Sequence, residues 1–222
     1  MDKNNAFCHP FPNIGYLTAM LTDEELAPVR NEISEIMLDY DKATKANHTL
    51  AGNIKKEFTL IDTKEYLEKL IIPYLIEYNQ TYEITKDITN IVLPNNRPHP
   101  TLRLISSWVN FQEKTEFNPI HHHHGLFSFV IWSRLPFKTE DEKNRTPEIP
   151  KEKNFAGFFQ FYYTDVLGDI KTLDCPADET YQNTLLVFPA QMKHGVLPFF
   201  TSEEKRITIS GNFGYDFYDT QV

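Results

Sequence analysis

The sequence predicts an α+β fold in which helices pack on one side of an antiparallel β-sandwich or barrel. Two observations predict it. Helical patterns occupy roughly the first hundred of the 222 residues, whereas the rest of the chain consists of short segments rich in β-branched and aromatic residues, separated by Pro, Asn, Asp or Gly. A chain of 222 residues also suits one core. We therefore expect a single domain over 1–222, with 1–100 mainly a helical cover and 101–222 the β core.

Two helices are expected in the first part of the chain. The first runs from about Thr22 to Tyr40 and opens with the spacing of a capping box, Thr22 to Glu25. The second starts near Thr63 and tolerates Pro73 or bends there. In the first helix the apolar residues fall on one stripe: Leu26, Val29, Ile33, Ile36 and Met37. Such one-sided stripes favour packing on a sheet over a partner-binding groove.

Strands are expected from Pro100 onward, and two polar segments are expected to be loops. The predicted strands are Leu102–Gln112, Leu126–Leu135, Phe155–Tyr163, Thr184–Phe188 and Arg206–Phe213. The segment 47–62 reads as a polar connection. The segment 138–154 is charged and holds two prolines, so it is either a lid over a site or an ordinary surface insertion.

Charge and cysteine content narrow the classes of partner. With 22 basic and 31 acidic residues the formal charge is -9, which argues against nucleic acid or an anionic membrane as the main partner. Cys8 and Cys175 are far apart and form no paired motif, as is usual for reduced thiols in a cytosolic protein. No segment is long and apolar enough to cross a membrane. We therefore expect a soluble cytoplasmic protein; its oligomeric state is left open.

A run of four histidines, His121 to His124, is the most informative motif. It contains half of the eight histidines of the chain. Alternate residues of an extended strand point to the same face, so His121 and His123 can direct two imidazoles at one point. A shifted register would use His122 and His124 instead. Either pair supplies half of a metal site.

His194 is the candidate third ligand. It follows the apolar strand 185–188 and the turn at Pro189, where the backbone would return beside the histidine run. Taken alone, it would be an ordinary loop histidine. Two imidazoles rarely hold a catalytic divalent ion without a third protein ligand. The presence of the pair in the same chain therefore favours a metal-binding role for His194. We assign no role to His9, His48 or His99.

The strand that starts at Arg206 has one polar face and one apolar face. If the polar face is solvated, this is a simple amphipathic strand with Ile207 and Ile209 in the core. If the polar face points inward, the guanidinium needs a carboxylate partner, because a buried unpaired charge is costly. The residues of the polar face are Arg206, Thr208, Ser210 and Asn212.

Taken together, these motifs resemble those of the 2-oxoglutarate and iron(II)-dependent oxygenases of marine bacteria and their phages, relatives of the prolyl 4-hydroxylase class. The likeness covers roughly Trp108 to Phe213. It is carried, in order, by His121-x-His123, Ser128-Phe129-Val130-Ile131-Trp132, Phe188-Pro189 with His194 beyond it, and Arg206-x-Thr208-x-Ser210-x-Asn212.

The resemblance implies a double-stranded β-helix, or jelly roll, over 101–222, with a metal at one open end. It implies that His121, His123 and His194 hold Fe(II), and that Arg206 binds the distal carboxylate of the cosubstrate 2-oxoglutarate with help from Thr208 or Ser210. Oxidative decarboxylation to succinate and CO2 would then drive hydroxylation of a small-molecule or peptide substrate that the sequence does not identify. The expected pocket residues are Trp108, Asn110, Ser128, Tyr162 and Asn212.

Two departures from the family pattern and two alternatives remain. His123 stands where the usual iron triad has a carboxylate, so the site carries one negative charge fewer. Asn183 stands where relatives often have Gly, and Asn tolerates positive φ. A cupin would place Glu shortly after the His pair, where Gly125 to Ser128 stand, and a zinc hydrolase would show HExxH. A non-catalytic metal-binding jelly roll, such as a virion or scaffold component, is the alternative from another class.

Overall fold

The structure, a computed structural model, describes residues 13–47, 51–86 and 101–216. Three α-helices lie in these ranges: α1 Asp23–Leu38, α2 Lys64–Tyr82 and α3 Thr139–Asn144. The strands are β1 Leu17–Met20, β2 Glu57–Thr59, β3 Thr101–Gln112, β4 Asn118–His121, β5 Phe127–Arg134, β6 Phe159–Thr164, β7 Ile170–Cys175, β8 Thr184–Pro189, β9 Lys193–Val196 and β10 Arg206–Asp216. Cys8, His9, His48 and His99 lie outside the described residues.

The strands form two antiparallel sheets. The larger sheet has six strands in the order β1-β8-β5-β10-β3-β2, and the smaller has four in the order β4-β9-β6-β7. Side chains from both sheets share one apolar cluster, which includes Trp132 and Phe188 of the larger sheet and Phe159 and Phe161 of the smaller. The sheets therefore face each other, and the predicted α+β sandwich is confirmed.

The inner strands of the larger sheet are buried on both faces. Phe127, Phe129 and Ile131 of β5 pack in the cluster shared with the helices, whereas Val130 and Trp132 pack toward the smaller sheet. This follows from the two-residue repeat of a strand. The helices thus cover one face of the larger sheet, and the other face lines the space between the sheets.

Strand β10 divides its residues in the same way. Ile207 and Ile209 join the helix-side core, while Arg206, Thr208 and Ser210 point into the space between the sheets and are buried. The interpretation in which the polar face of this strand is solvated is therefore wrong.

The first helix has the predicted start. The side chain of Thr22 accepts a hydrogen bond from the Glu25 N–H, and the Glu25 carboxylate accepts one from the Thr22 N–H, which confirms the capping box. Asn183, just before β8, has φ +70°, as its identity allowed. Its Nδ2 donates to Asp23 at 3.0 Å, so this turn is tied to the start of α1.

Several short strands were not predicted from the sequence. β2 lies inside the segment 47–62 and pairs with β3, and β1 pairs with β8. The first hundred residues therefore contribute two strands to the larger sheet as well as helices. β4, β7 and β9 were also missed. Strands of three to six residues carry little periodic signal, and their pairing partners, distant in sequence, determine them.

Two predicted segments have different boundaries or structure. The strand expected from Phe155 begins at Phe159, because the chain turns at Gly157, where φ is +79°. The segment 138–154, expected to be a loop, holds α3. There the buried Glu142 carboxylate accepts hydrogen bonds from the Phe200 and Thr201 N–H groups at 3.0 and 2.8 Å, which ties the segment to the chain before β10.

The described helices do not offer a membrane span: none of them combines the length and the apolar character that crossing a bilayer requires.

A carboxylate of α1 caps the start of α2. Glu32 accepts hydrogen bonds from the N–H groups of Ile61, Asp62 and Thr63 at 2.7, 3.1 and 2.9 Å, and from the Thr63 hydroxyl. The Thr63 side chain itself makes no cap. These N–H groups lie in the turn that leads into α2, so Glu32 ties this turn to α1 and places a negative charge beside the N-terminal end of α2.

We expect Glu32→Ala to lower the free energy of unfolding by about 3 kcal/mol, since it leaves several partly buried N–H groups without an acceptor. Glu35→Ala, on the exposed side of the same helix, is the matched control and should change it by less than about 0.5 kcal/mol. Urea titration followed by circular dichroism measures both. Equal midpoints for the two variants would contradict the capping role.

Candidate metal centre

The three predicted ligands meet at one end of the sandwich. The ring centroids of His121 and His123 are 4.8 Å apart, those of His121 and His194 4.3 Å, and those of His123 and His194 5.1 Å. One nitrogen from each ring lies within 4.8 Å of the others. Two nitrogens bound to one ion at about 2.1 Å stand at most about 4.2 Å apart, so a small closure completes the site.

Backbone pairing brings the distant histidine to the pair. His121 of β4 stands opposite His194 of β9 in the antiparallel ladder. Just beyond β4, the His123 N–H donates to the Ala190 carbonyl at 2.8 Å, which ties the second histidine to the turn between β8 and β9. His122 and His124 are exposed. The structure therefore brings together the first register of the histidine run, not the shifted one.

Backbone carbonyls select the tautomer of two rings. Nδ1 of His121 lies 2.7 Å from the Pro119 carbonyl oxygen, and Nδ1 of His194 lies 2.9 Å from that of Met192. A carbonyl only accepts, so each Nδ1 carries the proton and each Nε2 is left with a lone pair. This arrangement orients a ring and raises its basicity as a ligand.

Burial keeps the rings neutral. Desolvation lowers the pKa of His194 to about 3 and that of His123 to about 4, and it also lowers the pKa of His121. The ring of His194 stacks on Phe159 with centroids 5.4 Å apart and meets Phe188 edge-on at 4.9 Å. Neutral imidazole is the form that binds metal, so this environment favours a cation over protons.

Arg206 is a buried cation whose hydrogen bonds are incomplete. Only 1% of its surface is exposed, and its Nη1 donates to the Gly157 carbonyl at 2.9 Å. Its Nε and Nη2 are buried without a partner among the described residues. Desolvation lowers the pKa of the guanidinium, which remains charged at neutral pH. A buried charge left in this state is costly, and a carboxylate would satisfy both free donors.

Two hydroxyl groups share the cavity with Arg206. Thr208 Oγ1 accepts a hydrogen bond from Asn110 Nδ2 at 3.2 Å, so its own proton is available for a ligand. Ser210 is buried two residues further along the strand. Both hydroxyls line the cavity that contains Arg206 and the three histidines.

The other predicted pocket residues divide into two groups. Trp108, Asn110 and Ser128 line the cavity. Asn212 does not line it, and its Oδ1 accepts a hydrogen bond from the Ser128 hydroxyl at 2.7 Å. Tyr162 was wrongly predicted, because it alternates with the inward Phe161 and so points to the outer face of the smaller sheet, where its hydroxyl donates to Gln160 at 2.7 Å.

Three further residues of the cavity region were missed. Glu57 and Asn118 line the cavity but come from segments that the sequence presents as loops. Gly157 holds Arg206 through its carbonyl, and a Cβ on it would lie 2.5 Å from the Phe137 ring. A lone glycine inside an aromatic run was the available signal, since glycine in a strand pattern marks a bend or a close approach.

Fold and site together define a jelly-roll protein with three convergent neutral imidazoles and a buried arginine in one cavity. Residues 106–212 match the model of a family described as "Putative 2OG-Fe(II) oxygenase". This region contains all three histidines and Arg206. The resemblance read from the sequence is therefore confirmed: residues 106–212 are similar to the 2OG-Fe(II) oxygenase family.

Several solved structures share this architecture. A Pseudomonas putida prolyl-4-hydroxylase has 12% identity and a TM-score of 0.55, covering 91% of this chain and 93% of that chain. A Trichoplax adhaerens prolyl hydroxylase has 11% identity and a TM-score of 0.52, with coverages of 92% and 84%. The non-heme α-ketoglutarate-dependent epimerase SnoN from nogalamycin biosynthesis has 13% identity and a TM-score of 0.54, with coverages of 94% and 82%.

At these identities the likeness shows the fold, and it confirms the double-stranded β-helix. A search of curated proteins found no match.

Glu57 is a buried carboxyl group at the cavity wall. Its side chain is 1% exposed, and desolvation, with a smaller contribution from the nearby Glu116, raises its pKa to about 7. An unfolded glutamate titrates near its ordinary value of 4.5. The folded protein therefore holds this proton more tightly than the unfolded chain does. The contribution of Glu57 to stability is fully present below about pH 4.5 and is lost as the pH rises through about 7.

We expect Glu57→Gln to remove this loss of stability with rising pH. Between pH 6 and 8.5 the stability of the wild type should fall by about 1 kcal/mol more than that of the variant. Urea midpoints at the two pH values measure the difference. Glu203→Gln, at a side chain that is 83% exposed, is the matched control and should follow the wild type. Parallel pH dependence in Glu57→Gln and the wild type would contradict the buried-proton account.

Proposed function

We propose that this protein is an iron(II)- and 2-oxoglutarate-dependent dioxygenase that hydroxylates a carbon of its substrate and releases succinate and CO2. One observation carries the proposal: a buried guanidinium with free donors lines the same cavity as three neutral imidazoles. A cation site and an anion site in one cavity suit a cosubstrate that is a metal chelator at one end and a carboxylate at the other. The family match over residues 106–212 supports the same assignment.

The donor set fits a divalent transition ion. His121, His123 and His194 would bind it through nitrogen atoms and leave the remaining positions for other ligands. Iron, zinc, nickel and copper all accept imidazole, and among the described residues no carboxylate joins the group. The site would thus carry one negative charge fewer than the usual triad of two histidines and a carboxylate, so we expect metals other than iron to compete in purified samples.

The anion site fits 2-oxoglutarate. The Nε and Nη2 donors of Arg206 would hold the distal carboxylate in a forked pair, with the Thr208 hydroxyl as a third donor. The Gly157 carbonyl keeps the guanidinium oriented. The bound metal and cosubstrate would supply the oxidising chemistry, in which dioxygen is reduced as 2-oxoglutarate is decarboxylated.

The protein's own part is to bind, orient and keep water out. Apolar side chains from both sheets enclose the ligand groups: Val130, Trp132, Phe159, Phe188 and Val196. Such walls strengthen the electrostatic contacts of the cosubstrate and protect reactive species from side reactions. SnoN, one of the proteins with this fold, was solved with Fe3+, α-ketoglutarate and nogalamycin RO, with a TM-score of 0.51 and 13% identity. Because that protein is an epimerase, hydroxylation is the narrower part of our proposal.

We expect His194→Ala to abolish succinate formation that depends on added Fe(II) and 2-oxoglutarate, because two imidazoles alone hold a catalytic ion poorly. His122→Ala, in the same histidine run but exposed, is the matched control and should keep the wild-type rate. Succinate is measured by mass spectrometry and metal content by elemental analysis. A fully active His194→Ala protein would defeat the assignment. A wild-type protein that binds iron but forms no succinate would favour the non-catalytic metal-binding alternative.

We expect Arg206→Ala to raise the concentration of 2-oxoglutarate needed for half-maximal turnover by at least about 30-fold, since removing one partner of a buried charge pair costs 2 kcal/mol or more. Arg134→Ala removes an exposed arginine paired with Glu204 and should leave that concentration unchanged. The initial rate of succinate formation against 2-oxoglutarate concentration gives both values. An unchanged value in Arg206→Ala would place the cosubstrate elsewhere.

A further inference from the structure

A second group of polar side chains lines the same cavity, apart from the histidines and Arg206. Glu57 of β2 stands directly opposite Asn110 of β3 in the antiparallel ladder. Residues that face each other across two strands point to the same side of the sheet. Both side chains are buried, with 1% and 6% of their surface exposed, and both line the cavity.

Asn118 brings a third oxygen to this group. At Gly52 an added Cβ would lie 2.0 Å from Asn118 Oδ1 and 3.2 Å from Glu57 Oε1. The Asn118 oxygen therefore fills the place that a Gly52 side chain would take, and the Glu57 oxygen borders the same place. The bridge between Asn53 and Phe117 holds this stretch of chain beside β4.

Each of the three side chains carries an oxygen that can accept a hydrogen bond. Asn110 Oδ1 and Asn118 Oδ1 are both buried without a hydrogen-bond partner among the described residues. The amide of Asn110 is oriented by the bond from its Nδ2 to Thr208 Oγ1. The Glu57 carboxylate accepts from Asn47 Nδ2 at 3.1 Å. An unpaired buried acceptor costs about 1–3 kcal/mol of stability. A ligand that donates hydrogen bonds to these oxygens would remove this cost.

Above about pH 7, the pKa of its carboxyl group, Glu57 gives this wall of the cavity a negative charge. No ion pair within the described part of the chain includes Glu57. In the same described part, the nearby buried carboxylate of Glu116 forms an ion pair only with Lys55, at 3.9 Å. Arg206 lines the same cavity, but its free donors are assigned above to the cosubstrate. A cationic ligand would therefore compensate a charge that the protein leaves unbalanced.

We propose that Glu57, Asn110 and Asn118 form the substrate subsite of this enzyme and that they bind a protonated amino group. The proposal rests on the dioxygenase function proposed above and adds the class of substrate, an amine. An ammonium group has three N–H donors and one positive charge, so it can give one donor to each oxygen and neutralise the carboxylate. A hydroxyl group has one donor and no charge, and it would leave acceptors unpaired.

Binding of a small amine and of its neutral analogue tests the subsite without turnover. The wild-type protein is loaded with Fe(II) and 2-oxoglutarate under nitrogen at pH 8, where the Glu57 carboxyl, with a pKa of about 7, is ionised. n-Butylammonium chloride and n-butanol are then titrated by calorimetry. We expect the ammonium to bind at least about tenfold more tightly than the alcohol, the usual effect of a charge-assisted hydrogen bond.

Two variants assign the preference to these side chains. Glu57→Gln keeps the shape but removes the charge, and Asn118→Leu removes an acceptor; each should reduce the preference for the ammonium severalfold. Glu203→Gln removes an exposed carboxylate and should retain it. Undetectable binding of n-butylammonium, equal affinity for the two probes, or an undiminished preference in Glu57→Gln would overturn the subsite.

The outcome separates this proposal from the dioxygenase assignment. Succinate formation without an ammonium preference would support the dioxygenase function and refute the amine subsite. An ammonium preference without succinate formation would support the amine subsite and refute the dioxygenase function. The source of the amine is resolved by comparing free amino acids with a short blocked peptide that contains lysine as stimulants of succinate release. Stimulation by either supports the amine class, and stimulation by neither refutes it.

Discussion

A guanidinium group buried between two sheets, with two of its donors unpaired among the described residues, is the constraint on which the rest of the site depends. Arg206 reaches this position because β10 is buried on both faces, with isoleucines toward the helices and polar residues toward the cavity. A buried cation without a hydrogen-bonded partner has a high cost in free energy. An anion in the cavity would satisfy these donors, and the other features of the site can be understood in relation to such an anion.

The metal centre supplies the second half of the same arrangement. The pairing of β4 with β9 sets His121 opposite His194, and backbone carbonyls hold both rings with Nε2 free. The three imidazoles are neutral because they are desolvated, so the site brings little charge of its own. A dicarboxylate bridging a metal ion and Arg206 would neutralise both positive groups, which couples cosubstrate binding to metal binding through simple charge balance.

The sequence predicted the parts of this molecule that carry strong local signals. The capping box at Thr22, the stripe of α1, the alternation of His121 and His123 and the polar face of Arg206 all depend on residues close together in the chain. It did not predict β2 or β9, whose few residues form strands only because distant partners bind them. The environment of Glu57 was missed for the same reason, since a glutamate in a polar segment gives no sign that the fold will bury it. Tyr162 was misplaced because a strand that is aromatic on both faces does not indicate which face points inward.

The most direct test of the account is a crystal structure of the protein grown with Fe(II) and 2-oxoglutarate under nitrogen. The account predicts one iron bound by the Nε2 atoms of His121, His123 and His194, with the distal carboxylate of 2-oxoglutarate paired to Arg206. Iron bound by other residues, or 2-oxoglutarate bound away from Arg206, would contradict it.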